Sequence, residues 1–409
     1  MQFKRRPIIS TTVNGPETGR NSGGRRTNIQ QVEILDTTLR EGEQFSRAHF
    51  TFNQKVELTL ALARFGVEYV ELGSPVSYPN AQQELTQLVS LLESKQSKTK
   101  ILVHCRCNKD DVDKALATGA YGINLFMGTS SYLQKASHGK NIEEVAKIAV
   151  GMVEYVKSKG KFVRFGCEDA FRTSLDDLLY ICSALDAVGV DQVDFPDTVG
   201  GATPFEVYDR LREFSRRFRF KIEYHGHNDT GGAIANAYAA LEAGAVCINT
   251  TVLGIGERNG ICPMSGLVAR LQSLDPTLLE KYNLKELPKI DKLVATILGV
   301  PIPHDMPITA PNAFTHKAGI HTKAILQDSQ AYEVLRPEDF GIKRTLDIAS
   351  RITGKHAVAA RAIELDVVLS DEDLAAITEK VRYAAGLEPI SLENVDLIIK
   401  SYSKKAKGE

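Results

Sequence analysis

The sequence predicts a (β/α)8 barrel over residues 31–275, followed by a smaller, mainly helical region over residues 276–409. Three observations predict it. Eight short β-rich runs alternate with longer amphipathic stretches. Several of the helical stretches end in a glycine, the residue best suited to the left-handed position after a helix. The unusual polar residues fall at the C-terminal ends of the β-rich runs, where such barrels carry their active sites. A doubly wound open sheet would also alternate strands with helices, but no Gly-rich phosphate loop follows the first run.

Residues 1–30 hold six Lys/Arg, one acidic residue and many Gly, Ser, Thr and Asn. That composition reads as a disordered basic tail. It has no secretory apolar core, and an Arg-containing, acid-poor stretch also matches an organelle-targeting peptide. The first strand, 32–36, leads to Arg40 and Glu41, and helix 54–65 ends at Gly66. Strand 69–73 carries Glu71, strand 100–105 carries His104, and Gly119 closes the next helix. Strand 122–127 carries Asn124, and helix 142–159 ends at Gly160. Strand 162–167 carries Arg164 and runs to Glu168, and helix 175–188 ends at Gly189. Strand 191–195 leads to Asp197 and Thr198, with helix 205–218 behind it. Strand 221–224 leads to His225 and His227, helix 231–243 ends at Gly244, and 246–251 is the eighth strand. Beyond 274 the periodicity changes. A helix is expected over 278–298, then a linker with Pro301, Pro303 and Pro307, then helical segments carrying His316, His321 and Tyr332. A mobile element at a barrel mouth can close over substrate and supply a late catalytic group.

Of 409 residues, 43% are hydrophobic and 25% charged, and the net charge is -1. This balance argues against a nucleic-acid partner. No apolar run approaches the roughly 20 residues that span a bilayer, so no membrane partner is expected. The six cysteines are scattered among apolar segments and read as buried free thiols of a reducing compartment, the cytoplasm. Cys105-Arg-Cys107 has the look of a metal pair without a second pair to complete it.

On a strand, side chains i and i+2 share a face, so His225 and His227 project together, about 7 Å apart along the backbone. Two imidazoles so placed suit one divalent cation, and Glu41 is the best candidate for a third ligand. A Glu-His-His set leaves coordination positions open, the mark of a catalytic rather than a structural site. The donor set suits Zn2+ first, with Mn2+, Co2+, Fe2+ or Mg2+ as alternatives. Such a metal can polarise a substrate carbonyl. Arg40 supplies a fixed cation for a carboxylate or a developing oxyanion, and Arg164 and His104 add donors. The pocket so inferred suits a small, multiply anionic 2-oxo acid. The competing structural readings are that Arg164 pairs with Glu168 or Asp169, and that His104 is a satisfied buried polar group.

Leu39-Arg-Glu-Gly-Glu-Gln44, with Lys55 beyond it, resembles the N-terminal signature of the isopropylmalate/homocitrate synthase family. His225-Gly-His-Asn-Asp-Thr-Gly-Gly-Ala233 resembles its second signature. Phe314-Thr-His-Lys-Ala-Gly-Ile-His321 and Tyr332 resemble the region after the barrel, so the likeness runs from about residue 31 to 400. Glu41 in place of Asp and Gly256-Glu-Arg-Asn-Gly-Ile261 place the likeness on the homocitrate side of the family. The resemblance implies Glu41, His225 and His227 as metal ligands. It implies Arg40, Gln44, Glu71, His104, Asn124, Arg164, Gly166 and Thr198 around the 2-oxo acid, with His321, Tyr332, Arg40 and Glu168 at the chemistry. It further implies an acetyl-CoA-dependent Claisen condensation of the lysine-biosynthesis type and a homodimer. The sequence departs from the family pattern at Asn124 (usually Asp), Gly166 (usually Ser) and Gly73 (usually Thr). Loss of a carboxylate and a hydroxyl alters what a pocket selects. Oxaloacetate and phosphonopyruvate therefore stand beside 2-oxoglutarate as acceptors. The rival readings are a metal-dependent hydroxyacyl-CoA lyase and a silent ligand-binding relative.

Overall fold

A computed structural model of the protein describes residues 27–406. The basic stretch up to residue 26, and with it the tail or targeting reading, lies outside the described residues. Residues 27–30, grouped with that tail on composition, lie against the barrel. Thr27 Oγ1 and the Asn28 N–H donate to the Glu242 carboxylate at 2.6 and 3.0 Å, and Ile29 is buried.

Eight parallel strands close into a barrel in chain order. They are β1 (Glu33–Asp36), β2 (Tyr69–Leu72), β3 (Lys100–Arg106), β4 (Gly122–Gly128), β5 (Phe162–Glu168), β6 (Gln192–Asp197), β7 (Lys221–Gly226) and β8 (Cys247–Thr250). Closure is set by β8 pairing back on β1, with Asp36 opposite Thr250. The inward residues change character along the barrel axis. Leu35, Tyr69, Leu102 and Cys247 form an apolar plug near the strand N-termini. Beyond it the buried inward residues are polar: Glu71, Asn124, Arg164, Gln192, Glu223 and Asn249. An apolar floor under a polar layer is what a barrel needs to hold charged chemistry at its C-terminal mouth.

The helices pack outside. They are α1 (Phe52–Phe65), α2 (Ala81–Ser94), α3 (Lys109–Ala117), the short α4 (Ser131–Leu133), α5 (Ile142–Ser158), α6 (Leu175–Ala187), α7 (Pro204–Ser215), α8 (Ala233–Glu242) and α9 (Met264–Leu274). Capping boxes at Thr51/Gln54, Asn141/Glu144 and Thr203/Glu206 start α1, α5 and α7. The Thr51 cap explains why α1 begins two residues before its apolar periodicity is evident. Gly66, Gly119, Gly160, Gly189 and Gly244 all have positive φ, from 68° to 107°.

Past the barrel, α10 (Leu287–Leu298) buries Leu287, Ile290 and Val294 in the same core as the barrel helices. The single helix expected over 278–298 is instead two 3-10 turns followed by α10, because Pro288 sits in the first turn of α10 and starts a new helix. Then come α11 (Gly319–Gln327), α12 (Lys355–Glu364), α13 (Asp371–Leu387) and α14 (Leu392–Ala406), with a two-stranded parallel sheet of Thr315–His316 and Thr345–Leu346. Ile348, Val358, Ile377, Val381, Val395 and Ile399 form a second, small core. Among the described residues no helix is long and apolar enough to cross a membrane. All six cysteines are free.

Candidate active site

The His-Gly-His motif ends β7. Glu223, His225 and His227 face inward, while Tyr224 and Gly226 face out. The Tyr224 ring lies over Gly226 so closely that a Cβ there would come within 2.6 Å of ring carbons. Only glycine lets the strand run straight between the two histidines. Both imidazoles are buried. Burial pushes both below the ordinary histidine range. His227 and Arg40 add to this at His225, whereas at His227 the Glu41 carboxylate opposes it. Their Nε2 atoms face each other at 3.3 Å, and neither Nδ1 has a protein partner.

Glu41 approaches from the loop after β1, its Oε1 4.0 Å from His227 Nε2. One ligand atom from each of the three residues lies within 4.8 Å of the others. Two features fit a divalent cation. Neutral imidazoles are the ligating form, and the two Nε2 atoms converge with a carboxylate oxygen of Glu41 beside them. Two nitrogens roughly 2.05 Å from a tetrahedral ion are also separated by roughly 3.3 Å, the spacing found here. The Glu41 carboxylate is held by the Glu257 N–H at 2.8 Å, by Arg40 Nη1 at 2.6 Å and, more loosely, by Gln44 Nε2 at 3.4 Å.

Beneath the three residues lies a charged layer. Glu71, at the end of β2, accepts from Thr37 Oγ1 (2.6 Å), Arg40 Nε (2.9 Å), Arg164 Nη1 (3.3 Å) and the Asn124 amide. Burial alone would raise Glu71, but Arg40 and Arg164 outweigh it and hold its carboxyl well below the usual range. Asn124 belongs to this arrangement, since an Asp there would set a second carboxylate against Glu71. His104 stacks on Phe126 at 4.2 Å and lies 2.8 Å from the Asn124 amide. Burial lowers its pKa, against the hydrogen bond to Glu71.

Arg164 does not pair with Glu168 or Asp169. Its Nε donates to Glu223 at 2.7 Å, its Nη2 reaches Glu223 and lies 3.0 Å from Asp194 Oδ2, and its Nη1 reaches Glu71. Asp169 instead takes Ser130 and Arg172.

These side chains line one cavity of about 330 Å³ at the C-terminal mouth, together with Gly166, Glu168, Thr198, Glu257 and Arg258. Arg40, Glu41, Gln44, His104, Asn124 and Arg164 all open onto it, and Glu71 supports it from below. Burial, with Asp169 beside it, raises the Glu168 carboxyl. Thr198 Oγ1 accepts from the Asp169 N–H at 2.9 Å. His321 and Tyr332 are not brought there. Both are exposed, paired with each other at 4.3 Å between ring centroids, and absent from the cavity lining.

The sequence reading missed Asp194 and Glu223. Alternation along β6 and β7 places both on the inward face, and that signal was available. Burial, reinforced by Glu223 and Glu71, outweighs the opposing charge of Arg164 and pushes Asp194 well above the ordinary carboxyl range. A larger cleft of about 760 Å³ is lined by Lys100, Tyr121, Lys157, Lys161 and Phe162 around the strand N-termini. Its lysines are committed, Lys157 to Asp191, Lys161 to the carbonyls of Gly119 and Ala120, and Lys100 over the Tyr121 ring. It lacks the convergent set seen at the mouth.

Comparison with known proteins gives the family. Residues 31–294 match the HMGL-like family model, and residues 308–388 match the homocitrate synthase post-HMGL domain-like model. The mitochondrial homocitrate synthase of Saccharomyces cerevisiae is 44% identical over 94% of this chain and 87% of its own length. That of Schizosaccharomyces pombe is 43% identical over 96% of this chain and 94% of its own. The homocitrate synthase of Sulfolobus acidocaldarius is 36% identical over 86% and 75%. Among solved structures, the HMG-CoA lyase of Bacillus subtilis superposes with a TM-score of 0.61 at 20% identity, covering 69% of this chain and 97% of the lyase, a likeness of fold. The match past the barrel sets this chain apart from a bare lyase barrel: it belongs to the HMGL-like family, on the homocitrate synthase branch.

Proposed function

We propose that the protein condenses acetyl-CoA with a 2-oxo dicarboxylic acid, 2-oxoglutarate, giving homocitrate and CoA. The observation that carries this reading is the convergence of Glu41, His225 and His227 with Arg40 at the barrel mouth, in a chain related to homocitrate synthases along nearly its whole length. Glu41, His225 and His227 would hold a divalent metal, Zn2+ first, which supplies Lewis-acid polarisation of the acceptor ketone when bound.

The rest is done by the chain's own residues. Arg40, held by Glu41 and Glu71, presents a guanidinium that needs no reorganisation as negative charge grows on the ketone oxygen. His104, Asn124, Arg164 and Thr198 line the acceptor's chain, and Gln44 steadies Glu41. His321 takes a methyl proton from acetyl-CoA, a task suited to an imidazole, with Tyr332 beside it. The methyl carbon then bonds to the ketone carbon. The oxygen takes up a proton, a role we assign to the Glu168 carboxyl, which lines the same cavity. Water cleaves the thioester and CoA leaves.

Because His321 and Tyr332 stand outside the cavity lining, we assign them to the cavity of a second copy in a homodimer. In this reading the region from 276 to 409 covers the neighbouring barrel. Ile320 and Val334, 73% and 78% exposed beside them, suit burial at such a contact. Six free cysteines suit a reducing compartment, and we place the protein in the cytoplasm.

The test is CoA release from acetyl-CoA with 2-oxoglutarate, oxaloacetate, phosphonopyruvate, pyruvate and 2-oxoisovalerate. The expected result is the highest kcat/KM with 2-oxoglutarate. A higher value with another acceptor would replace the substrate, and release with none would overturn the reaction.

A further inference from the structure

The far end of the acceptor site is unusual. Arg164 is the only guanidinium of the inward polar layer among the described residues, and its edges are nearly all taken. Glu223 holds Nε and one N–H of Nη2, Glu71 holds one N–H of Nη1, and Asp194 Oδ2 stands 3.0 Å from Nη2, at its second N–H. A carboxylate binds a guanidinium best as a two-point fork, with parallel N–H groups from two nitrogens. For a ligand entering from the cavity, that fork needs both Nη1 and Nη2. Asp194 occupies the place at Nη2. It is itself only 4% exposed, and its Oδ1 has no partner. The neighbouring position, Gly166, lines the cavity without a side chain. A Cβ there would stand 3.5 Å from Phe126 Cβ and 3.7 Å from Asp194 Oδ2, ordinary contact distances. The position therefore admits a methyl group in ordinary contact, and what faces it is a carboxyl group rather than a free guanidinium edge.

We propose that Asp194 is a specificity-determining residue of the acceptor site. It blocks the Nη2 side of Arg164 and so denies the acceptor's distal carboxylate a two-point clamp. The site then holds that end by a single contact in the space beside Gly166, and accepts 2-oxo acids of similar shape whose far end is uncharged. This rests on the condensation proposed above and deepens it, naming a wider acceptor class for the same cavity.

The experiment compares 2-oxoglutarate with its apolar isostere 5-methyl-2-oxohexanoate, by CoA release and by calorimetric binding without acetyl-CoA, on metal-loaded protein. Wild type is expected to separate the two by about tenfold or less in kcat/KM, far below the discrimination of a site built to pair with a charged group. Asp194→Ala opens Nη2 and is expected to widen the ratio at least tenfold, through a lower KM for 2-oxoglutarate with kcat little changed. Asp194→Ser is a second, more conservative opening, with metal content and melting temperature as controls for folding. A ratio unchanged or narrowed in both variants, or widened through kcat alone, would overturn the role of Asp194. Absence of CoA release by wild type with either acid would instead strike the condensation reading, while the binding ratio would still report on Asp194.

Discussion

At the residue scale the site depends on two neutral imidazoles forced to face each other. The arrangement costs free energy without a cation, because the buried Nδ1 of each ring has no protein partner while the two Nε2 atoms stand 3.3 Å apart. Removing one imidazole relieves that cost and also removes one of the three proposed ligands. His225→Ala is therefore expected to fold at least as well as wild type when both are stripped of metal. It should retain less than about a tenth of the metal per chain and lose about 10³-fold or more in kcat/KM. Metal analysis after gel filtration, beside the CoA-release assay, checks this; a fully loaded, fully active variant would remove His225 from the ligand set. The convergence of His225 and His227 was legible in the sequence because i, i+2 spacing fixes a shared face whatever the rest of the fold does. Asp194 was not seen because Asp197 and Thr198, nearer the strand end, drew the functional reading, although Gln192, Asp194 and Pro196 share the inward face of β6.

At the element scale the β7 motif shows why a strand end can be as exacting as a turn. Its outward face must seat Tyr224, which packs edge-on against Phe171 at 5.9 Å, and its inward face must aim two histidines. Gly226 reconciles the two by letting the ring lie flat on the strand. Gly226→Ala is expected to destabilise by about 1–3 kcal/mol through overpacking. Metal retention should fall as well, because relief of the clash turns His225 or His227. Differential scanning calorimetry of apo and metal-loaded protein separates the effects, and an unchanged melting temperature in both forms would show that the ring moves aside freely. The loop holding Glu41 has a similar restriction. Gly260 has φ +69°, and a Cβ there would run into the Gly254 carbonyl, so the turn that carries the Glu257 N–H to Glu41 depends on glycine. The eight strands were legible because each is a short apolar run between polar helices. Helix starts were less so, because a cap such as Thr51 is one side-chain hydrogen bond rather than a pattern.

At the scale of the whole molecule, the harder question for the sequence was where the barrel ends. The apolar stripe of α10 announces a buried face without saying which surface it meets, and it meets the barrel's own core. The joint is polar at one point. Asp36, at the outward end of β1, and Asp291, on α10, are both fully buried. Burial raises each carboxyl to about 7, with Asp291 adding slightly to the effect on Asp36. Hydrogen bonds from Thr38 to Asp36 and from Thr309 to Asp291 oppose the shift without cancelling it. An acid whose folded pKa lies above its unfolded value binds its proton more tightly in the folded state. The folded state is therefore fully favoured below about pH 4, and that advantage is lost as pH rises towards and through 7. Asp291→Asn keeps the shape and an acceptor for Thr309 but cannot ionise. Its melting temperature relative to wild type, at equal metal load, is expected to rise between pH 5 and pH 8, with a gain of several degrees at pH 8 and little or none at pH 5. An equal shift at both pH values would mean that the joint between β1 and α10 is held by packing alone, with no proton stored in it.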